Sequence, residues 1–174
     1  WRLSAASPCR GAGNAASASG ADIDGEAWLS PPSIGCDEFQ VGALTGPLGV
    51  GITTSFTNVS VGYALQFMAV IQGRAATSVW DFGDGIAVTN RPYASHAWTA
   101  LGDYAVVLRA YNESWPGGIS ATVTVHVVPG IHYVSASSTN AVAPYTSWAT
   151  AATDIQSAIN AAIEPGAQVL VTNG

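Results

Sequence analysis

Two aspartates three residues apart in Trp80-Asp81-Phe82-Gly83-Asp84-Gly85, and three acids within Asp22-Ile23-Asp24-Gly25-Glu26, are the groupings best suited to hold a ligand. Carboxylates beside turn carbonyls are hard oxygen donors, so Asp81, Asp84, Asp22 and Asp24 are the candidate Ca²⁺ ligands, and Ca²⁺ is the one candidate cofactor. Two or three acids per loop fall short of the roughly six to eight oxygens that Ca²⁺ takes, and the second loop lacks the remaining positions of an EF-hand. The competing reading is a pair of polar turns whose carboxylates accept backbone N–H groups. His96, His126 and His132 have no cysteine or acid at metal-ligand spacing, so no firm metal site is expected. There is no G-x-S-x-G segment and no cysteine with an evident base. No acid pair suited to glycoside hydrolysis sits in a segment that reads as a pocket. The sequence therefore names no catalytic residue. Trp28, Trp98, Trp115 and Trp148 could form a stacking platform for polysaccharide, Trp115 and Trp98 foremost. Trp115-Pro-Gly-Gly118 reads as a loop, whose tryptophan alternatively folds back to anchor it.

Composition limits the partners. Of 174 residues only 9% are charged; the five basic residues are all arginines, and the formal net charge is −6. Five scattered arginines make no basic face for nucleic acid, nor a polybasic anchor for anionic lipid. No apolar run reaches the ~18–20 residues of a membrane-spanning helix, so no membrane insertion is expected. The opening Trp1-Arg2-Leu3-Ser4 segment lacks the basic-then-apolar pattern of a signal peptide and reads as an excerpt of something longer. Abundant Gly, Ala, Ser and Thr suit a β-rich extracellular module.

Three regions follow one another. Residues 1–39 are rich in Gly, Ser, Ala and Pro and can bury little surface alone. Residues 40–129 carry period-2 segments: Tyr63–Ile71, Gly102–Tyr111 and Ala121–Val127. These are separated by turn signals at Gln72-Gly73, Gly83-Asp84-Gly85, Asn90-Arg91-Pro92 and Pro116-Gly117-Gly118. The pattern predicts a mainly β fold with an antiparallel, immunoglobulin-like sandwich. In residues 130–174 the period changes. Ile155, Ala158, Ile159, Ala162 and Ile163 make one helical stripe, predicting a helix over about 153–163 capped by Thr150 or Thr153. Pro165-Gly166 stops it, and a strand over about 167–172 follows. That strand leaves backbone groups at a sheet edge which something must cover.

The middle region carries Trp80-Asp-Phe-Gly-Asp-Gly85, then Ser95-His-Ala-Trp98, then Gly102-Asp-Tyr104-Ala-Val106, then Ala121-Thr-Val123-Thr-Val125, and so resembles the PKD domain, an immunoglobulin-like β-sandwich. The resemblance implies a scaffold in which Trp80 and Phe82 fill the gap between sheets; Ca²⁺ at Asp81 and Asp84 and sugar contact through exposed tryptophans are what it adds as options. The flanks have resemblances of their own. Ser7-Pro-Cys9, Asp22-x-Asp24-Gly25 and Ile34-Gly-Cys36-Asp-Glu-Phe39 look like the closing segment of right-handed parallel β-helix proteins of bacterial surfaces. His132-Tyr-Val134, Thr146-Ser-Trp148 and Ile155–Ile159, closing on Val169-Leu-Val171-Thr172, look like the opening cap of the same class.

These readings together imply a non-enzymatic, extracellular or cell-surface structural module of a large or repetitive bacterial protein. Its partners are expected to be other copies or neighbouring domains of the same protein. The strand Val169, Leu170, Val171 and Thr172 can pair with a neighbour to build a filament. The alternatives are a carbohydrate-binding or adhesion module, and a non-catalytic part of a β-helix lyase or hydrolase. Cys9 and Cys36 flank the acidic loop, and in an extracellular class they are expected to form a disulfide contributing about 3 kcal/mol, two buried thiols being the alternative. Asn58-Val-Ser60 and Asn112-Glu-Ser114 have the form of glycosylation sequons.

Overall fold

The structure, a computed structural model, describes residue 3 and residues 6–23, 26–39 and 46–172. Alternating apolar segments become strands because successive side chains of an extended chain point to opposite faces. Eight of them, β1 (Gly49–Thr54), β2 (Asn58–Ser60), β3 (Leu65–Gln72), β4 (Thr77–Asp81), β5 (Ala87–Thr89), β6 (Tyr93–His96), β7 (Gly102–Asn112) and β8 (Trp115–Val128), form two sheets ordered β1-β3-β6 and β2-β8-β7-β4-β5. The chain is thus mainly β and sandwich-like, as expected. β3 and β6 run antiparallel with Phe67 opposite Ala94, and β4 and β5 antiparallel with Trp80 opposite Val88. β2 lies parallel to β8, Asn58 opposite His126, which departs from an all-antiparallel scheme.

Two compact units emerge from the packing: Trp1–Val50 with Ile71–Thr77 and Ala110–Ile119, and Gly51–Val70 with Ser78–Arg109 and Ser120–Gly174. Residues 130–172 thus belong to the same unit as most of the sandwich. In that second unit the inward positions of the strands, Leu65, Phe67, Val106, Leu108, Val125 and Val127, are buried together with Trp80, Phe82 and Trp98. Each such side chain contributes about 1.5–3 kcal/mol by leaving water. The first unit is loop-rich. A short 3₁₀ turn, Ala15–Ser17, is capped by the Asn14 side chain, and Ala21 bridges Ala27.

Pro129 and Gly130 alone separate β8 from β9 (Ile131–Val134), after which come α1 (Ile155–Ala161) and β10 (Gln168–Val171). β10 pairs with β9 in parallel, Gln168 opposite Ile131 and Val171 opposite Val134. A small core of Val134, Ala152 and Ala158, flanked by Tyr145 and Val169, lies under the helix. The helix is shorter than its periodicity predicts, and Asp154 caps it in place of Thr150 or Thr153, its carboxylate accepting from the Ser157 N–H at 2.8 Å. Of its stripe only Ala158 is buried; Ile155, Ile159 and Ile163 are exposed. This α/β element is tied to the sandwich. The Ser60 N–H donates to the Pro165 carbonyl at 3.0 Å. Gly166 lies so close to Tyr63 that a Cβ there would come within 3.0 Å of the ring, and at Gly130 a Cβ would meet that of Ser60 at 2.7 Å.

Trp80→Ala should lower stability by about 3–5 kcal/mol, as large-to-small changes at fully buried aromatics do. Chemical denaturation of wild type and variant measures it.

Candidate functional site

The residues that read most like a site converge on the sandwich interior. Phe67 of β3 packs against Trp80 of β4 (5.8 Å between ring centres), Phe82 (6.0 Å) and Trp98 (6.3 Å). His96, at the end of β6, stacks on Phe82 at 4.3 Å with its ring within 7° of parallel and meets Trp98 edge-on. The indole and phenol donors of the cluster are answered from within. Trp80 Nε1 donates to the Arg91 carbonyl at 2.9 Å and Trp98 Nε1 to the Phe82 carbonyl at 3.0 Å, while the Tyr104 hydroxyl donates to the Ala100 carbonyl.

The two acids of the motif close the turn. Asp81 Oδ1 accepts from the Gly83 N–H at 2.9 Å, and Asp84 Oδ1 from the Ile86 N–H at 3.1 Å. Asp84 Oδ2 pairs with His96 Nε2 at 2.7 Å. Burial pushes the Asp84 carboxyl up, but the hydrogen bonds from His96 and Ile86 and the charge of His96 outweigh it and hold it below the usual carboxylate range. Gly83 adopts φ +78° with its Cα against the Ala105 backbone, where a Cβ would come within 3.0 Å, so the turn admits no side chain there. The carboxylates proposed as Ca²⁺ ligands thus serve N–H donors and an imidazole. His126 pairs instead with Asp103 at 2.7 Å, and the buried His132 donates from Nδ1 to the Pro144 carbonyl at 2.6 Å. Among the described residues no group of three His, Cys, Asp or Glu side chains is placed to hold a metal.

In the first unit the acids do the same work in loops. Asp22 accepts from the Glu26 and Glu38 N–H groups at 2.8 and 2.9 Å. Asp24 lies outside the described residues. Glu38, which sequence reasoning left without a role, is buried and accepts from Ser33 N–H (2.8 Å), the Ser33 hydroxyl (2.6 Å), Leu29 N–H and Phe39 N–H. Burial raises its pKa, yet these four donors leave it below its ordinary value. The expected disulfide is corrected: Cys9 and Cys36 are free thiols, and Cys36 is exposed. The Cys9 carbonyl takes the N–H of Ile34, whereas the Cys36 carbonyl takes that of Ile23.

Two further expectations divide. Trp98 is buried in the aromatic cluster and offers no sugar-binding face, which corrects its reading as a glycan contact. Trp115 is 45% exposed, but it opens β8 instead of lying in a loop, its N–H donating to Asn112 Oδ1. Val169, Leu170, Val171 and Thr172 fall where the period predicts. Gln168 and Thr172 donate to the Gly130 and Val134 carbonyls, so the even positions face β9. The N–H and C=O groups of Val169 and Val171 face the other way. Among the described residues no strand lies on that side. Leu170 and Val171 are 46% and 44% exposed.

Residues 49–127 match the family model of the PKD domain. Human polycystin-1 is 38% identical over 66 residues, which is 36% of this chain and 2% of that protein; the chain therefore spans a small fraction of that relative's length. Among solved structures, the PKD domain of an M14-like peptidase from a Thermoplasmatales archaeon is 20% identical with a TM-score of 0.39, covering 46% of this chain and 92% of that one. The PKD1 domain of Vibrio anguillarum Epp is 18% identical with a TM-score of 0.40, covering 48% and 96%. A structure described as the basis for the promiscuous specificity of carbohydrate-binding modules of the β-sandwich superfamily is 24% identical with a TM-score of 0.44, covering 50% and 36%.

Asp84→Asn should cost about 1–2 kcal/mol near neutral pH, the worth of a hydrogen bond to a charged group. The folded-state pKa of Asp84 is depressed, so its contribution is complete above the unfolded value near ~3.9 and fades as pH falls through the folded one. Denaturation curves of wild type and variant should therefore converge in acid.

Proposed function

We propose that the PKD domain formed by residues 49–127 serves as a rigid, non-catalytic spacer in a large or repetitive extracellular protein, and that the β9–β10 element joins it to a neighbouring copy or domain by strand pairing. The observation that carries this reading is the edge of β10, which no strand covers among the described residues and where Leu170 and Val171 are exposed. β10 is short, but it carries β-branched residues and no charge or proline that would block pairing with another chain. The parallel register of β9 and β10 fits continuation by a further parallel strand, the ladder of a β-helix coil. Rigidity is supported by the two-residue passage from β8 to β9 and by the contacts of Pro165, Gly166 and Gly130 with Ser60 and Tyr63. The low charge of the chain suits such contact, since little ionic surface must be desolvated. No helix among the described residues is long and apolar enough to cross a membrane.

PKD domains occur in extracellular proteins and are non-catalytic modules, and the aromatic motif here is fully engaged in packing. Polysaccharide binding is the second reading. It now rests on the exposed Trp115 and Trp148, because Trp98 is inside.

Val171→Pro removes an N–H that β9 does not use, so the fold should survive while edge pairing fails. Light scattering should show wild-type chains associating with rising concentration and the variant remaining monomeric, with the same far-UV circular dichroism. Deleting Val169–Gly174 should act likewise. A wild-type chain that stays monomeric throughout would overturn the assembly reading.

A further inference from the structure

The two sequons stand in opposite environments. Asn112 is 4% exposed, and both hydrogens of its Nδ2 are spent on the Gly46 and Arg74 carbonyls at 3.0 Å, while Oδ1 accepts from the Trp115 N–H. A sugar on that nitrogen replaces one of those hydrogens and needs room that a buried side chain does not have. A chain modified there cannot close the loop that Asn112 holds. Asn58 is exposed, at the start of β2, an outer strand of its sheet. Two residues earlier, Phe56 is 44% exposed and meets Tyr63 edge-on at 6.5 Å. Phe56 and Asn58 line one open groove together with Ile163 and Pro165, and its polar rim is Glu164 and Thr57.

We infer that Asn58 is an acceptor for asparagine-linked glycosylation and that its first sugar seats on the Phe56 ring in this groove. The sequence Phe56-Thr-Asn58-Val-Ser60 meets the acceptor pattern. An aromatic ring beside the attachment point offers an apolar face to the C–H face of the sugar, which would otherwise leave exposed phenyl surface in water. Transfer forms one bond, from Asn58 Nδ2 to the anomeric carbon of the sugar. It breaks one, from that carbon to the diphosphate of a lipid-linked oligosaccharide donor; the amide gives up one proton and the lipid diphosphate departs. Ser60, whose hydroxyl is part of the acceptor signal, is buried with its Oγ unbonded in the folded chain. Transfer therefore precedes closure of β2 onto β8, and the fold then decides which glycosylated chains survive. It accepts a glycan at Asn58 and rejects one at Asn112. This inference is independent of the strand-pairing reading above.

The test is secretion of the 174-residue chain from a eukaryotic cell, with intact mass and glycopeptide mapping of the folded fraction. The expected result is one glycan at Asn58, none at Asn112, and none at all in Asn58→Gln. Enzymatic removal of the glycan should lower the melting temperature by a few degrees in wild type and by less in Phe56→Ala. An unoccupied Asn58, or a glycan at Asn112 in folded protein, would overturn the site. An unchanged melting difference in Phe56→Ala would overturn the seat on the ring.

Discussion

Trp80 has to be inside and its indole N–H has to be satisfied there, and much of the second unit follows from meeting both demands at once. The ring fills space between the sheets against Phe67 and Phe82. Its N–H reaches the Arg91 carbonyl in the turn between β5 and β6, which fixes that turn relative to β4. Trp98 repeats the device with the Phe82 carbonyl and so ties the segment after β6 to the turn after β4. An unpaired indole N–H in this position would forfeit roughly the 1–3 kcal/mol of a buried unsatisfied donor, so each tryptophan specifies a backbone path as well as filling volume. His96 and Asp84 complete the arrangement from the turn side. The paired acids of the motif lock this β-turn through the N–H groups of Gly83 and Ile86.

Acidic residues throughout the chain are used in this way. Asp22, Glu38, Asp84 and Asp154 each accept backbone N–H groups, in loops, at a turn and at a helix start. A chain with so few charges has spent these four on its own architecture and leaves the sheet faces nearly neutral. Such faces neither repel a neighbour nor protect an edge, which is the ground for the strand pairing proposed at the open side of β10.

Much of the fold was legible because it rests on short-range patterns. Period-2 alternation located β3, β7 and β8, and the Trp80–Gly85 motif placed the aromatic cluster. Harder features depend on distant pairings. The parallel register of β2 with β8 joins residues far apart in sequence, with no local signature. Asp154 displaced the expected threonine caps because its carboxylate reaches both the N–H and the hydroxyl of Ser157. Trp98 looked available for a ligand because a tryptophan near a turn carries no mark of which way it points. The candidate edge itself was visible as an apolar run after a helix stop; that its Val169 and Val171 amides face away from β9 was not.

In the proposed assembly the outward edge of β10 is where the chain meets its neighbour. Amide hydrogen exchange, followed residue by residue as concentration rises, addresses it directly. In dilute solution the Leu170 N–H, held by β9, should already be protected while those of Val169 and Val171 exchange freely. On association Val169 and Val171 should become protected while Leu170 changes little. Association that leaves the Val169 and Val171 amides exchanging as fast as before would contradict it.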